Sequence, residues 1–128
     1  MDRLRRRAEF LAVAAGAKVP ATAFVLQARR RADEASARVG FTVSKKVGGA
    51  VERNRVRRRL KEAVRRSAAI GMRAGHDYVV VGRRTALSQP FRLLIGDIEQ
   101  ALIRVHAKPA ALKPPAAERA VQPTKDRR

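Results

Sequence analysis

From Ser44 to Arg66 the chain reads SKKVGGAVERNRVRRRLKEAVRR. Eight of the fourteen residues from Arg53 to Arg66 are basic, and Glu62 is the only acid among them. Neighbouring like charges repel along a helix, and one glutamate leaves most of them unpaired. A polyanion removes that repulsion. Arginine suits one built of phosphates, because its rigid fork of donors holds two oxygens at once. Arg53, Arg55, Arg57, Arg58, Lys61 and Arg65 are therefore candidate phosphate ligands. Ser44, Lys45 and Lys46 extend the same surface. Asn54 is too short to reach far, but can fix a neighbouring arginine or meet a sugar or base. Gly48 and Gly49 lie just before the helix and could offer consecutive backbone N–H groups to an anion.

Other chemistry is poorly supplied. There is no cysteine and only two histidines, His76 and His106, which excludes disulfides, thiolate nucleophiles and cysteine zinc sites. The carboxylates are scattered, with no spacing that would hold a hard cation at a phosphate. His76–Asp77 is expected to be a turn before a strand. Thirty Lys and Arg against eleven Asp and Glu give a net charge of +19, spread over the whole chain. Such a body points to a nucleic acid, with DNA and RNA both open at this stage. No run approaches the roughly 20 apolar residues that span a bilayer. The opening MDRLRRRAEFLAVAAGA is broken by Glu9 and is not expected to be a signal peptide. The expectation is a soluble, cytoplasmic protein without a membrane partner.

The elements that must carry these residues follow from periodicity. Residues 7–15 predict a short helix with a stripe of Leu4, Ala8, Leu11 and Ala15, ended by Gly16. ATAFVLQARR (21–30) predicts a strand. RVGFTVSKK (38–46) predicts another, with Val39, Phe41 and Val43 on one face and Gly40, Thr42 and Ser44 on the other. The two are expected to pair across a polar hairpin loop. On a helical wheel Leu60, Ala63 and Val64 fall within about 80 degrees of Val56, predicting a helix over 52–68 with a narrow apolar stripe. Asn54, Arg58, Lys61 and Arg65 line its opposite face, and Arg53 and Arg57 sit beside the stripe. DYVVVG predicts a buried strand. The last helix starts near Ser88–Pro90, with Phe91, Leu94, Ile98, Ala101, Leu102 and Val105 at helical spacing. Residues 1–106 form an α+β domain in this reading, and residues 107–128, with four of the six prolines, a disordered basic tail.

At Ser44, Lys45, Lys46, Gly48, Ala50, Val51, Arg53, Asn54, Arg55, Arg57 and Arg58 the chain resembles the protein subunit of bacterial ribonuclease P. The likeness extends to RLRRRAEFLAV, to FVL at 24–26, to Arg38-Val39-Gly40 and to DYVVVGR. It covers roughly residues 3–105. It implies a small two-layer α/β sandwich in the order α-β-β-β-α-β-α, with a left-handed crossover between parallel strands. It also implies one strand more than the pattern gives, expected from dividing 21–45 differently. The implied partners are a catalytic RNA, one protein per RNA, and precursor tRNA. Mg²⁺ then serves the RNA, and the protein is non-catalytic. Arg53, Asn54, Arg55, Arg57 and Arg58 would meet the RNA. Phe10, Phe24, Val25, Gln27 and Thr42 would border a cleft for the 5′ leader. Ala14 and Gln27 stand where the family often has aromatics, so leader contacts would rely less on stacking. A structural RNA-binding protein and a membrane-surface protein are the alternatives. The first does not need the ordered signature, and the second needs a broader apolar helix face than this chain offers.

Overall fold

A computed structural model describes residues 2–107. The elements are β1 (Asp2–Arg3), α1 (Arg7–Ala14), β2 (Ala17–Pro20), β3 (Phe24–Arg30), β4 (Arg38–Val43), α2 (Ala50–Gly71), β5 (His76–Gly82) and α3 (Phe91–Ala107). Single 3₁₀ turns at Lys45–Val47 and Arg84–Leu87 lead into and out of the α2–β5 unit. The five strands form one mixed sheet in the order β1-β4-β5-β3-β2. The α-β-β-β-α-β-α order is present, preceded by the two-residue β1.

β5 is the keystone. Its sequence HDYVVVG is buried almost end to end, as befits a central strand covered on both faces. It pairs parallel with β4 and antiparallel with β3. β4 reaches its parallel neighbour β5 through α2, which forms the crossover. The expected hairpin between 21–30 and 38–46 is therefore corrected: β5 lies between those strands. The hairpin that does exist joins β2 to β3, with Val19 opposite Leu26. The additional strand is thus 17–20, ahead of the segment expected to contain it. Pro20 ends β2 on the sheet edge, where a missing N–H is tolerated.

Alternation gives the sheet two different faces. Phe24, Leu26, Ala28, Val39, Val43, Tyr78 and Val80 join Val56, Leu60, Ala63 and Val64 of α2 and Leu94, Ile98, Leu102 and Val105 of α3 in the main core. The α2 stripe and the α3 spacing thus bury the side chains the sequence assigns. Gly82 admits α2, since a Cβ there would stand 2.6 Å from Val56. On the second face a smaller cluster joins Leu4, Val13 and Val79, with Phe10 and Val81 against it. Here the predicted α1 stripe needs correction. Phe10 and Val13 face the sheet, whereas Ala8 and Ala15 are exposed and Leu11 is 57% exposed. In a helix of eight residues, two small alanines weigh as much on a wheel as one large ring, although their burial contributes far less. Gly16 ends α1 under pressure from β3: a Cβ would lie 2.2 Å from the Ala28 carbonyl oxygen.

Candidate RNA interface

Arginines in this fold divide by whether an acceptor within the chain already holds them. Asp77 lies fully buried in β5 and accepts from Arg31 and, through both oxygens, from Arg38 at 2.8 and 2.7 Å. Burial pushes its carboxyl up, but the hydrogen bonds from Arg38 and Arg31 outweigh this and hold it below the usual range. Arg38 also donates to Glu9 at 2.9 Å. Glu9 in turn accepts the backbone N–H groups of Arg6 and Arg5, each at 3.0 Å, which lower its pKa most. Arg31 further holds the Ala35 and Ser36 carbonyls and Asp33. The network pins the start of α1 and the 31–37 connection to the sheet. The expected His76–Asp77 turn is therefore corrected: both residues are buried inside β5, and the turn is at Gly75, where φ is +78°.

α2 is held by a second internal set. Arg59 donates to the Ala86 and Gln89 carbonyls. Arg59 and Arg66 place their guanidinium groups 5.8 and 5.5 Å from the Phe91 ring centre. Arg84 donates to the Val47 carbonyl and meets Glu52 at 3.3 Å. Glu52 caps the helix by accepting from Gly49 N–H at 2.9 Å, the largest cause of its lowered pKa, with Arg84 next. The Gly48 N–H meets the Lys45 carbonyl at 3.3 Å. The glycine turn expected to receive an anion has both amides engaged from within. Its tightness does need glycine, because a Cβ on Gly48 would stand 2.1 Å from Glu52 Oε1.

What remains open on α2 is its solvent face. Arg53, Arg55, Arg58 and Lys61 meet no acidic side chain or other side-chain hydrogen-bond partner among the described residues. Arg55, Arg58 and Lys61 are exposed, as Asn54 is, and Arg53 is half-buried. Asn54 Oδ1 accepts from Arg57 at 2.9 Å, so the asparagine orients an arginine. Arg65 is taken by Glu62, whose carboxyl Arg65 and Arg66 together lower to about 2. Lys45 and Lys46 are exposed in the 3₁₀ turn, where the Ser44 hydroxyl accepts from Lys46 N–H at 3.2 Å.

A second open surface lies on the sheet face that carries α1. Phe10 covers Gly40, where a Cβ would come within 2.5 Å of its ring, and Val13 packs on Val79. The next row of the same face is Thr42, Val81 and Val25, joined across β4, β5 and β3 by register and followed by Pro20 of β2. Thr42, Val81 and Val25 are only half-buried. With strands about 4.8 Å apart this strip is roughly 14 Å long. Val25, Gln27, Thr42 and Phe10 thus lie on one side of the sheet. Phe24 does not: it is 0% exposed, inside the main core on the opposite face. Its place in the expected cleft is corrected, and Val81, absent from that expectation, lies between Thr42 and Val25. Strand alternation gives Phe24 and Val25 opposite faces, so covering one necessarily left the other.

The carboxylates offer a metal little. Among the described residues no three His, Cys, Asp or Glu side chains come together. Glu9, Asp33, Glu52, Glu62 and Asp77 are already bound to arginines. Nor is any described helix long and apolar enough to cross a membrane. Fold and surface together define a small α+β protein with one cationic helix face and one open strip of sheet, suited to nucleic acid.

Comparison with known proteins makes this specific. A family model described as Ribonuclease P matches residues 1–106. The "Ribonuclease P protein component" of Gluconacetobacter diazotrophicus is 52% identical over 101 residues, covering 78% of this chain and 87% of the relative. That of Paramagnetospirillum magneticum is 51% identical over 114 residues, covering 84% of each. Among solved structures, the Staphylococcus aureus RNase P protein matches with a TM-score of 0.68 at 25% identity, over 81% of this chain and 94% of its own. The Thermotoga maritima RNase P protein also gives 0.68, at 27% identity, over 82% and 98%. The chain belongs to the ribonuclease P protein family. It is the non-catalytic protein subunit of that ribonucleoprotein, which removes the 5′ leader of precursor tRNA by means of its RNA.

Proposed function

We propose that the protein divides this work between its two open surfaces. The solvent face of α2, through Arg53, Arg55, Arg58 and Lys61, holds the catalytic RNA. Lys45 and Lys46 extend this contact, and Asn54 sets Arg57 within it. The strip of Thr42, Val81 and Val25, bordered by Phe10 and Gln27, receives the 5′ leader. The observation that carries the reading is the set of cations on α2 without internal acceptors, on a helix whose other arginines are all engaged. An unpaired leader suits the strip because its half-buried side chains offer a flat surface to bases and sugars. One protein acts per RNA, in the cytoplasm. Mg²⁺ serves the RNA and the substrate phosphate. Residues 107–128, apart from Ala107 at the end of α3, lie outside the described residues; in this reading they add weak electrostatic attraction.

The test is reconstitution. Protein freed of RNA is expected not to cleave precursor tRNA, and the cognate RNA with protein and Mg²⁺ is expected to do so at lower salt and lower substrate concentration than the RNA alone. Cleavage by protein without RNA would overturn the assignment of chemistry, and an RNA indifferent to the protein would overturn the binding roles. A Val81→Glu substitution, placing a carboxylate in the strip, is expected to weaken precursor with a long leader while leaving mature tRNA binding unchanged.

A further inference from the structure

Where β1 stops, the sheet edge opens. Asp2 and Arg3 pair with Arg38 and Val39, and the Leu4 N–H reaches the Val39 carbonyl at 3.0 Å. Beyond that point no described strand pairs with the outer side of β4. Backbone groups alternate along a strand, so Phe41 turns its N–H and C=O to the same open side as Val39. A cavity of about 140 Å³ sits at this notch, with Phe10, Gly40 and Phe41 along it and Arg3, Arg57 and Lys61 at its rim. Phe10 approaches from the α1 side and Phe41 from the α2 side, so the notch wraps the edge of the sheet. It is distinct from the Thr42–Val81–Val25 strip, which lies on one face.

Its chemistry is mixed in a specific way. Both rings are half-buried and keep part of their surface open. Arg3 and Lys61 have no acidic or hydrogen-bonding side-chain partner among the described residues. Arg57 reaches the rim while Asn54 holds it from the helix surface. Aromatic walls, an open backbone donor and acceptor, and three cations match one nucleotide. The base has a π-face and a hydrogen-bonding edge, and the phosphate takes the cations. A base-paired nucleotide would not fit, because its edge is already engaged and its faces are stacked.

We propose that this notch binds a single unpaired nucleotide of an RNA strand, with its base between Phe10 and Phe41 against the β4 edge and its phosphate on Arg57, Lys61 and Arg3. The proposal rests on the RNA-binding reading above and adds a site to it. Asn54 then serves as a positioning residue that acts through Arg57. The nucleotide can come from the precursor leader or from the catalytic RNA, and the two sources separate by assay.

The experiment uses full-length protein, its catalytic RNA and precursor tRNA. It measures protein affinity for the RNA, and holoenzyme affinity for precursor, across a salt series. Phe41→Leu is expected to weaken one of these by roughly tenfold at an unchanged salt slope, as loss of stacking does. Lys61→Ala is expected to reduce the slope of the same interaction by about 0.7. Lys61 is exposed, so the second variant decides if the first folds poorly. If the leader is the source, single abasic leader nucleotides abolish the Phe41 effect at one position; if the catalytic RNA is, precursor binding is unaffected. Folded variants that bind both RNAs as wild type does, while Arg58→Gln binds poorly, would overturn the notch and leave the RNA-binding reading standing. Wild-type protein that binds neither RNA would instead remove that reading.

Discussion

Arg38 and Arg58 belong to the same highly charged chain and meet opposite fates. Arg38 is spent inside the fold: it bridges Asp77 and Glu9 and so joins β5 to the start of α1. Arg58 stands on the open face of α2 with no acceptor in the described chain. The difference lies in what surrounds each residue, since both are arginines near hydrophobic neighbours in sequence. A buried carboxylate fixes the first by geometry and desolvation. For the second, the chain supplies no counter-charge, and a partner must. Basic charge in this protein is thus two populations, one that builds the scaffold and one that the scaffold presents.

The largest break in that comparison should come from the scaffold. Asp77→Asn leaves Arg31 and Arg38 buried against a neutral amide, and we expect a loss of ~3–5 kcal/mol, seen as a lower midpoint in thermal or urea unfolding. Acid should expose the same dependence more gently. Glu9, Asp33, Glu52, Glu62 and Asp77 all have lowered pKa values in the fold. A lowered folded pKa contributes stability above the unfolded value, about 4 for a carboxylate. That contribution is lost as pH falls through the folded values. Unfolding midpoints should be flat from pH 7 to about 5 and drop below about 4, and the Asp77→Asn protein should show a shallower drop. A midpoint that rises on acidification would contradict the network.

On the presented set the effects move from stability to binding. Arg53→Lys and Arg55→Lys keep the charge but lose the paired donors, so RNA affinity is expected to fall by about tenfold with unfolding unchanged. Asn54→Ala and Arg57→Ala should each weaken binding and, combined, cost little more than one alone, because both remove the same oriented guanidinium. Full additivity in a double-mutant cycle would separate them. Smallest of all, Arg127→Lys in the segment after α3 should be nearly silent in both assays.

Much of the presented population is legible in the sequence. The 3.6-residue period puts Val56, Leu60, Ala63 and Val64 inside, and therefore Asn54, Arg58 and Lys61 outside. The ordered run from Ser44 to Arg58 carries the family. The scaffold population is not legible, because its partners are distant: Asp77 meets Arg38 and Arg31 across 39 and 46 residues. Without those contacts an aspartate beside Gly75 looks like a turn. Strand order is hidden for the same reason, since local alternation cannot show that β5 enters between β3 and β4. β2 leaves little trace because four residues ending in proline give too short a pattern. For the cleft, alternation separates Phe24 from Val25 but does not say which face α3 covers. Nor does spacing reveal that Glu52 occupies the glycine turn.

The most direct measurement of the central claim is the salt dependence of binding to the catalytic RNA for Arg58→Gln beside Arg38→Gln, each at a temperature where circular dichroism shows it folded. The account predicts that Arg58→Gln lowers the slope of log affinity against log salt by about 0.7–0.9 and leaves the unfolding midpoint in place. Arg38→Gln should lower the midpoint and leave the slope at the wild-type value. A reduced slope for Arg38→Gln with an unchanged slope for Arg58→Gln would contradict the division of this protein's arginines into those that hold the fold and those that hold RNA.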